Sequence, residues 1–287
     1  MSDAPIVSVV IPSWNRAGLL GDAIESALAQ DYPRLQIVVV DDGSIDRTRE
    51  IVDRYRGVEY FHQDHQGSAV ARNTGLSHAR GQYVAFLDSD DLWLPGKLHT
   101  ELELFRAYPA ARAVISDSEH WLQETRVRAS RFEATGLGSS SEPWLLPRDT
   151  TLWVDISLFS TCCLIVERAV LTALDQPVFE PSLGANEDWD FEIRMYQVCP
   201  TLVYPQVLAK VRRYPDNTRA DRALPGTTPT VAQSIGRASR HRNIMKRALR
   251  LDTLTPLQLE RTRAKIAALD AQISELESTA LKESKIA

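Results

Sequence analysis

Three acids stand within four positions at Asp88, Asp90 and Asp91, directly after the apolar run Tyr83–Leu87. Carboxylates so close repel one another unless a positive charge lies between them. A hard divalent cation, Mg2+ or Mn2+, answers that need, because it prefers carboxylate and phosphate oxygens and keeps only one or two protein ligands. The plainer reading of the same acids is a turn that caps a helix starting near Pro95. A second pair, Asp41-Asp42, closes the run Leu35–Val40, and the turn Pro12-Ser13-Trp14-Asn15 follows Ile6–Ile11. Arg72 and Asn73 precede the acid cluster and follow a polar approach, His65-Gln66-Gly67. Far along the chain Glu187-Asp188 opens a helical stretch, where the helix dipole favours an ionised, proton-accepting carboxylate. Acids in a first helical turn are also ordinary stabilising residues.

The elements that must hold these residues alternate in type. Apolar runs at Ile6–Ile11, Leu35–Val40, Val58–Phe61 and Tyr83–Leu87 are separated by amphipathic stretches at Leu19–Leu28, Thr48–Tyr55 and Ala69–Ala79. This succession predicts an α/β fold with a Rossmann-like, mostly parallel sheet flanked by helices, since parallel neighbours need helical crossovers. Ile37-Val38-Val39-Val40 is apolar at consecutive positions, as a strand covered on both faces requires. Ligands then bind beyond the carboxyl ends of the strands, where the acids and the Pro12–Asn15 turn lie. Regularity fades beyond residue 118, and Thr135–Asp149 reads as a loop. Cys162–Val166 and Leu202–Val211 read as strands of a second half. The reading divides the chain into 1–118, 119–225 and a helical tail, 226–287.

Composition narrows the class. The chain has 287 residues, 44% hydrophobic and 25% charged, which suits a globular protein and excludes disorder. A net charge of −5 argues against gripping a nucleic-acid backbone. Cys162, Cys163 and Cys199 lack metal-ligand spacing and the even count of a disulfide framework, so a reducing, cytoplasmic setting is expected. The first apolar run reads as a strand rather than a signal peptide, and no segment reaches the length of a membrane-spanning helix.

Taken in order, Ser8-Val9-Val10-Ile11-Pro12-Ser13-Trp14-Asn15-Arg16, Val40-Asp41-Asp42-Gly43-Ser44, Ala71-Arg72-Asn73-Thr74-Gly75, Phe86-Leu87-Asp88-Ser89-Asp90-Asp91 and Glu187-Asp188-Trp189-Asp190 resemble the motifs of family 2 glycosyltransferases. The resemblance spans roughly residues 5 to 215. It implies a GT-A type fold and inverting, metal-dependent transfer from a nucleoside-diphosphate sugar, a UDP-sugar first, to a hydroxyl of a glycan, lipid-linked or protein acceptor. It implies that Pro12, Ser13, Asn15, Asp41, Arg72, Asp88 and Ser89 bind the nucleotide sugar, that Asp90 holds Mn2+ or Mg2+, and that Asp188 is the base. Residues 1–118 then form the nucleotide-sugar half and 119–225 the acceptor half. Glu187, Trp189, Arg212 and Arg213 are candidate contacts to acceptor or diphosphate. Many relatives carry a histidine at the position of Tyr214, so either arginine beside it is expected to neutralise charge there.

The chemistry agrees. A departing nucleoside diphosphate gains negative charge that a cation neutralises, and the attacking hydroxyl gives its proton to a carboxylate. The alternative is a non-catalytic nucleotide-sugar module that recruits a partner through its C-terminal helices. A dehydrogenase is disfavoured, because no closely spaced glycines follow the first strand. In the tail, the basic stretch 237–250 is the candidate for peripheral contact with the inner face of a membrane. Leu259, Ile266, Leu269, Ile273 and Leu276 form an apolar stripe that could pair copies of the chain through 256–283.

Overall fold

The computed structural model describes residues 5–135, 142–184, 186–214 and 229–283. The first half runs β1 (Val7–Ser13), α1 (Ala17–Leu28), β2 (Leu35–Asp42), α2 (Thr48–Val52), β3 (Val58–Gln63), α3 (Ser68–His78), β4 (Tyr83–Phe86), β5 (Leu92–Trp93) and α4 (Lys97–Ala107). It continues with β6 (Ala113–Leu122), β7 (Thr125–Arg128), α5 (Arg131–Thr135), β8 (Trp144–Leu145), α6 (Leu152–Asp155), β9 (Leu164–Glu167) and α7 (Arg168–Ala173). Helix α8 (Glu187–Val198), β10 (Thr201–Arg213), α9 (Val231–Ala248) and α10 (Pro256–Glu283) complete the chain.

All these strands join one sheet, whose main path is β3-β2-β1-β4-β9-β6-β10-β5. Strands β1 to β4 are mutually parallel, as the alternation predicts. Strand β9 lies antiparallel to both β4 and β6, and β10 is parallel to β6. The carboxyl ends of β1, β2, β4, β6 and β10 therefore reach the same edge of the sheet. The path runs from β1 to β2 on one side and to β4 on the other, which opens a crevice between them.

Packing explains the elements. Ile37 to Val40 of β2 are buried, and each aliphatic side chain so covered contributes about 1.5–3 kcal/mol. Helix α1 buries Leu20, Ala23, Ile24 and Ala27, one face at three- and four-residue steps. Gly75 lets α3 lie directly on β1, because a Cβ there would meet Val10 Cγ1 at 2.3 Å.

Two expectations change in detail. The boundary at 118/119 falls inside β6, whose ten residues pair with β10 and whose first three pair also with β9. Cys162 and Cys163, buried as expected, belong to a 3-10 turn, and the strand starts at Leu164. Part of the Thr135–Asp149 segment, 136–141, lies outside the described residues, as do Pro215 and the first residues of the tail.

The tail is helical as expected, but it is docked. Thr230 and Gln233 form a reciprocal capping box at the start of α9. Ile244, Met245 and Ala248 of α9 enter the main core. On α10, Leu269 and Ile273 are buried against Ala238 of α9. The stripe expected to pair copies of the chain is thus covered by the chain itself. Among the described residues no helix is long and apolar enough to cross a membrane.

Candidate active site

The turns after β1 and β2 are tied to each other. Asn15, at φ 50°, donates its backbone N–H to Ser44 Oγ at 2.8 Å, and its Oδ1 accepts from the Ile45 N–H at 2.9 Å. Asp41 is buried and accepts from the Ser44 N–H at 2.9 Å and the Tyr60 hydroxyl at 2.6 Å. Asp42 holds the loop after β3, accepting from the N–H groups of Gln66 and Gly67 at 2.9 and 2.8 Å. Gly43, at φ +75°, passes so close to this loop that a Cβ would meet the His65 nitrogen at 2.8 Å. The consequence is a surface absent from the expected site list. Trp14, 47% exposed, stacks on His65 with ring centroids 4.2 Å apart. Pro12 and Ser13 lie buried at the end of β1 beneath this turn.

The acid cluster is divided by its surroundings. Asp91 is buried and accepts the Arg212 backbone N–H at 2.9 Å. Desolvation and the neighbouring charge of Asp90 push its carboxyl well above the usual range. Asp88 faces Arg72 at 2.7 Å and Thr161 Oγ1 at 3.2 Å. Desolvation works to raise its pKa, but Arg72, then Arg213 and Thr161, bring the net shift below the usual range. Asp90 has 19% of its side chain exposed and lies 3.9 Å from Arg16 Nε. Ser89 is buried between them. Crowded carboxylates of which Asp88 and Asp90 keep some exposure fit a hard cation that takes most of its shell from a ligand's phosphates. No set of three His, Cys, Asp or Glu that could hold an ion without such a ligand occurs among the described residues.

Arg72 joins this cluster to α8. One arm donates to Asp88, and the other donates to Glu187 Oε1 at 2.7 Å. Glu187 also accepts from Ser68 Oγ at 2.6 Å. Burial opposes the guanidinium charge, but Asp88, Glu187 and Asp188 together outweigh it and hold Arg72 firmly charged. Asn73 exchanges hydrogen bonds with the Phe179 backbone at 2.7 and 2.9 Å, which fixes α3 against the loop before α8. Asp188 is partly exposed and accepts the Trp189 N–H at 2.9 Å. Its neighbour in sequence, Glu187, is buried, and its Oε1 accepts from both Ser68 and Arg72.

Several candidate contacts are already held by the protein itself. Arg72 is buried and paired with two carboxylates. Asp41 likewise has both oxygens engaged by the protein. Arg212 is buried; its side chain donates to the Asp90 carbonyl at 2.5 Å, to Asp22 at 2.7 Å and to the Leu19 carbonyl. It braces the acid loop through the Asp90 carbonyl. The charge of Arg213 acts on both Asp88 and Asp91 and works to lower their pKa values. Trp189 stands at the wall of a pocket beside the start of α8. It is buried, donates its indole N–H to the Trp153 carbonyl at 2.9 Å and lies against His241.

The comparisons with known proteins follow this geometry. The profile of glycosyl transferase family 2 matches residues 8–173. The glycosyltransferase named TuaG, for teichuronic acid biosynthesis, of Bacillus subtilis (strain 168) is 42% identical over 104 residues, 34% of this chain and 41% of TuaG. An uncharacterized glycosyltransferase of Rickettsia typhi is 29% identical over 217 residues, 73% of this chain and 64% of that protein. The chain therefore spans less than two thirds of either relative. Among solved structures, Staphylococcus aureus TarS 1-349 matches with a TM-score of 0.70 at 20% identity, covering 96% of this chain and 75% of that one. TarS 1-349 in complex with UDP-GlcNAc matches at 0.67, covering 92% and 71%. The mannosyltransferase PcManGT from Pyrobaculum calidifontis, in complex with GDP-Man and Mn2+, matches at 0.62 and 21% identity, covering 99% and 81%. Likeness at these identities establishes the fold, a GT-A type α/β domain.

Proposed function

The chain belongs to glycosyl transferase family 2, and we propose that it transfers a sugar, with inversion, from a nucleoside-diphosphate sugar to an acceptor hydroxyl. The observation that carries this reading is the bridge Asp88–Arg72–Glu187, which joins the crevice at the strand ends to the helix that bears Asp188. Donor and acceptor chemistry need to meet along such a line. The UDP-GlcNAc of TarS and the GDP-Man of PcManGT support a nucleotide-sugar donor of this class.

The nucleobase lies on the Trp14–His65 face, above the tied turns of β1 and β2. Asp88 orients the ribose, and Asp90 would hold Mn2+ or Mg2+, with the donor's phosphates supplying further ligands. When bound, the ion supplies Lewis-acid stabilisation of the departing diphosphate. Arg213 adds fixed positive charge at that end. Asp188, ionised at the first turn of α8 and beside Arg72, takes the acceptor's proton. Glu187 is excluded from that task because Ser68 and Arg72 already engage it.

The test is a binding screen of nucleoside diphosphates and nucleotide sugars with and without Mn2+. One donor class is expected to bind, more tightly with the ion, and Asp90→Ala is expected to remove about tenfold of that enhancement. Unchanged Mn2+ stimulation in Asp90→Ala would sink the metal assignment, and no binding of any donor would sink the function. In the same titration Trp14→Ala is expected to cost about 1–3 kcal/mol of nucleotide affinity through lost stacking. An unaltered affinity would move the base away from this face.

A further inference from the structure

A pocket of about 770 Å3 opens beside the start of α8, walled by parts of β7, α5, α9 and α10. Among the described residues its charge is one-sided. Arg128, Arg131, Arg237, Arg240 and Lys265 line it there against one carboxylate, Asp155. That carboxylate already faces Lys265 at 2.9 Å and Arg261 at 4.0 Å. In a chain of net charge −5, this concentration does not follow from composition.

The cations are arranged rather than scattered. Arg131 donates to the Leu158 and Ser157 carbonyls at 3.2 and 2.5 Å, which orients the guanidinium without neutralising it. Arg128 and Arg237 are exposed and form no ion pair among the described residues. Helix α9 divides its basic residues by face. Arg242 pairs with Asp270, and Arg247 pairs with Asp190 and Glu180; Arg237 and Arg240, three residues apart, line the pocket. The cationic field also runs toward the acid cluster. His120 is pushed down to about 3 by burial and then by Arg131, Arg213 and Arg128. At the other side, Asn186 lines the pocket two residues before Asp188.

We propose that this pocket binds an anionic segment of the acceptor, a phosphate- or phosphodiester-bearing glycan chain, and delivers its hydroxyl to Asp188. The word acceptor rests on the glycosyltransferase reading; the anion site does not. Guanidinium forks match phosphate oxygens two at a time, so several arginines around one cavity suit a chain with repeated charges better than a single small ion. A concave wall also cannot lie flat on a bilayer, and the apolar side chains Ala238 and Leu269 of the lining are buried.

The experiment uses the full chain and a fluorescein-labelled oligo(glycerol phosphate), with a neutral maltooligosaccharide and phosphatidylglycerol vesicles as parallel arms. Wild type is expected to bind the phosphodiester oligomer in a salt-sensitive way and the neutral oligomer not at all. The double variant Arg128→Gln/Arg237→Gln, at exposed positions without ion pairs, is expected to keep its thermal midpoint and bind the oligomer at least about tenfold more weakly. Asp188→Asn is expected to bind it as wild type does. Equal affinity in the double variant, equal affinity for the neutral oligomer, absence of binding, or binding to vesicles alone each overturns the proposal. Failure of every nucleotide sugar to bind would instead strike the transferase reading and leave this anisotropy result standing.

Discussion

Asp188→Asn is expected to lower sugar transfer about a thousandfold while leaving nucleoside-diphosphate affinity within about twofold of wild type. The asymmetry follows from where Asp188 sits. It lies at the opening of α8, with Arg72 between it and Asp88, and in the proposed mechanism it serves the acceptor and not the nucleotide. Amide for carboxylate keeps the shape and the hydrogen bond from the Trp189 N–H, and removes the basic lone pair together with the negative charge. Glu187→Gln serves as the contrast. Its loss should appear in stability, because Ser68 and Arg72 converge on it. Measured transfer rates and donor affinities for the two variants decide the matter. Transfer at wild-type rates in Asp188→Asn would leave the reaction without its base.

Arg72→Met is expected to destabilise the fold by about 3–5 kcal/mol, because it strands Glu187 and Asp88 without their shared counter-charge. Transfer should fall with it, since the two halves of the site then lose their common anchor. Arg72→Lys should recover only part of the loss: one ammonium cannot present two arms to two carboxylates as a planar fork does. The effect carries a pH signature. In the wild type Asp88 is held below its usual range, so its contribution is present above about pH 4 and is lost as the pH falls further. In Arg72→Met the buried Glu187 and the half-buried Asp88 lose their shared counter-charge, which raises their pKa and favours their protonated forms. The stability gap between the two proteins should therefore narrow on acidification. Denaturant unfolding at neutral and acidic pH measures that gap, and a gap that stays constant would mean the bridge does not hold the site together.

Much of this architecture was legible in local pattern. The β-branched runs that became β1 to β4, the amphipathic stretches between them, and the polar turns at their carboxyl ends are each written within a few neighbouring residues. Burial on both faces demands consecutive apolar positions, and crossover connections demand parallel strands. The ordered motifs then sufficed for the family. The helical tail was legible too, although not its docking onto α8 and the core.

The amino-acid order by itself thus determined the parallel strands β1 to β4 and the acids at their carboxyl ends, because periodicity and turn chemistry act over short stretches of chain. The tertiary structure alone decided which charged side chain is a tool and which is a strut. Arg72 meets Glu187 across 115 positions, and Arg212 meets the Asp90 carbonyl across 122. Arg213, adjacent to Arg212, sends its charge to Asp88 and Asp91 instead. A side chain's role depends on the partner and the desolvation it meets in space, and neither is encoded in its immediate neighbours.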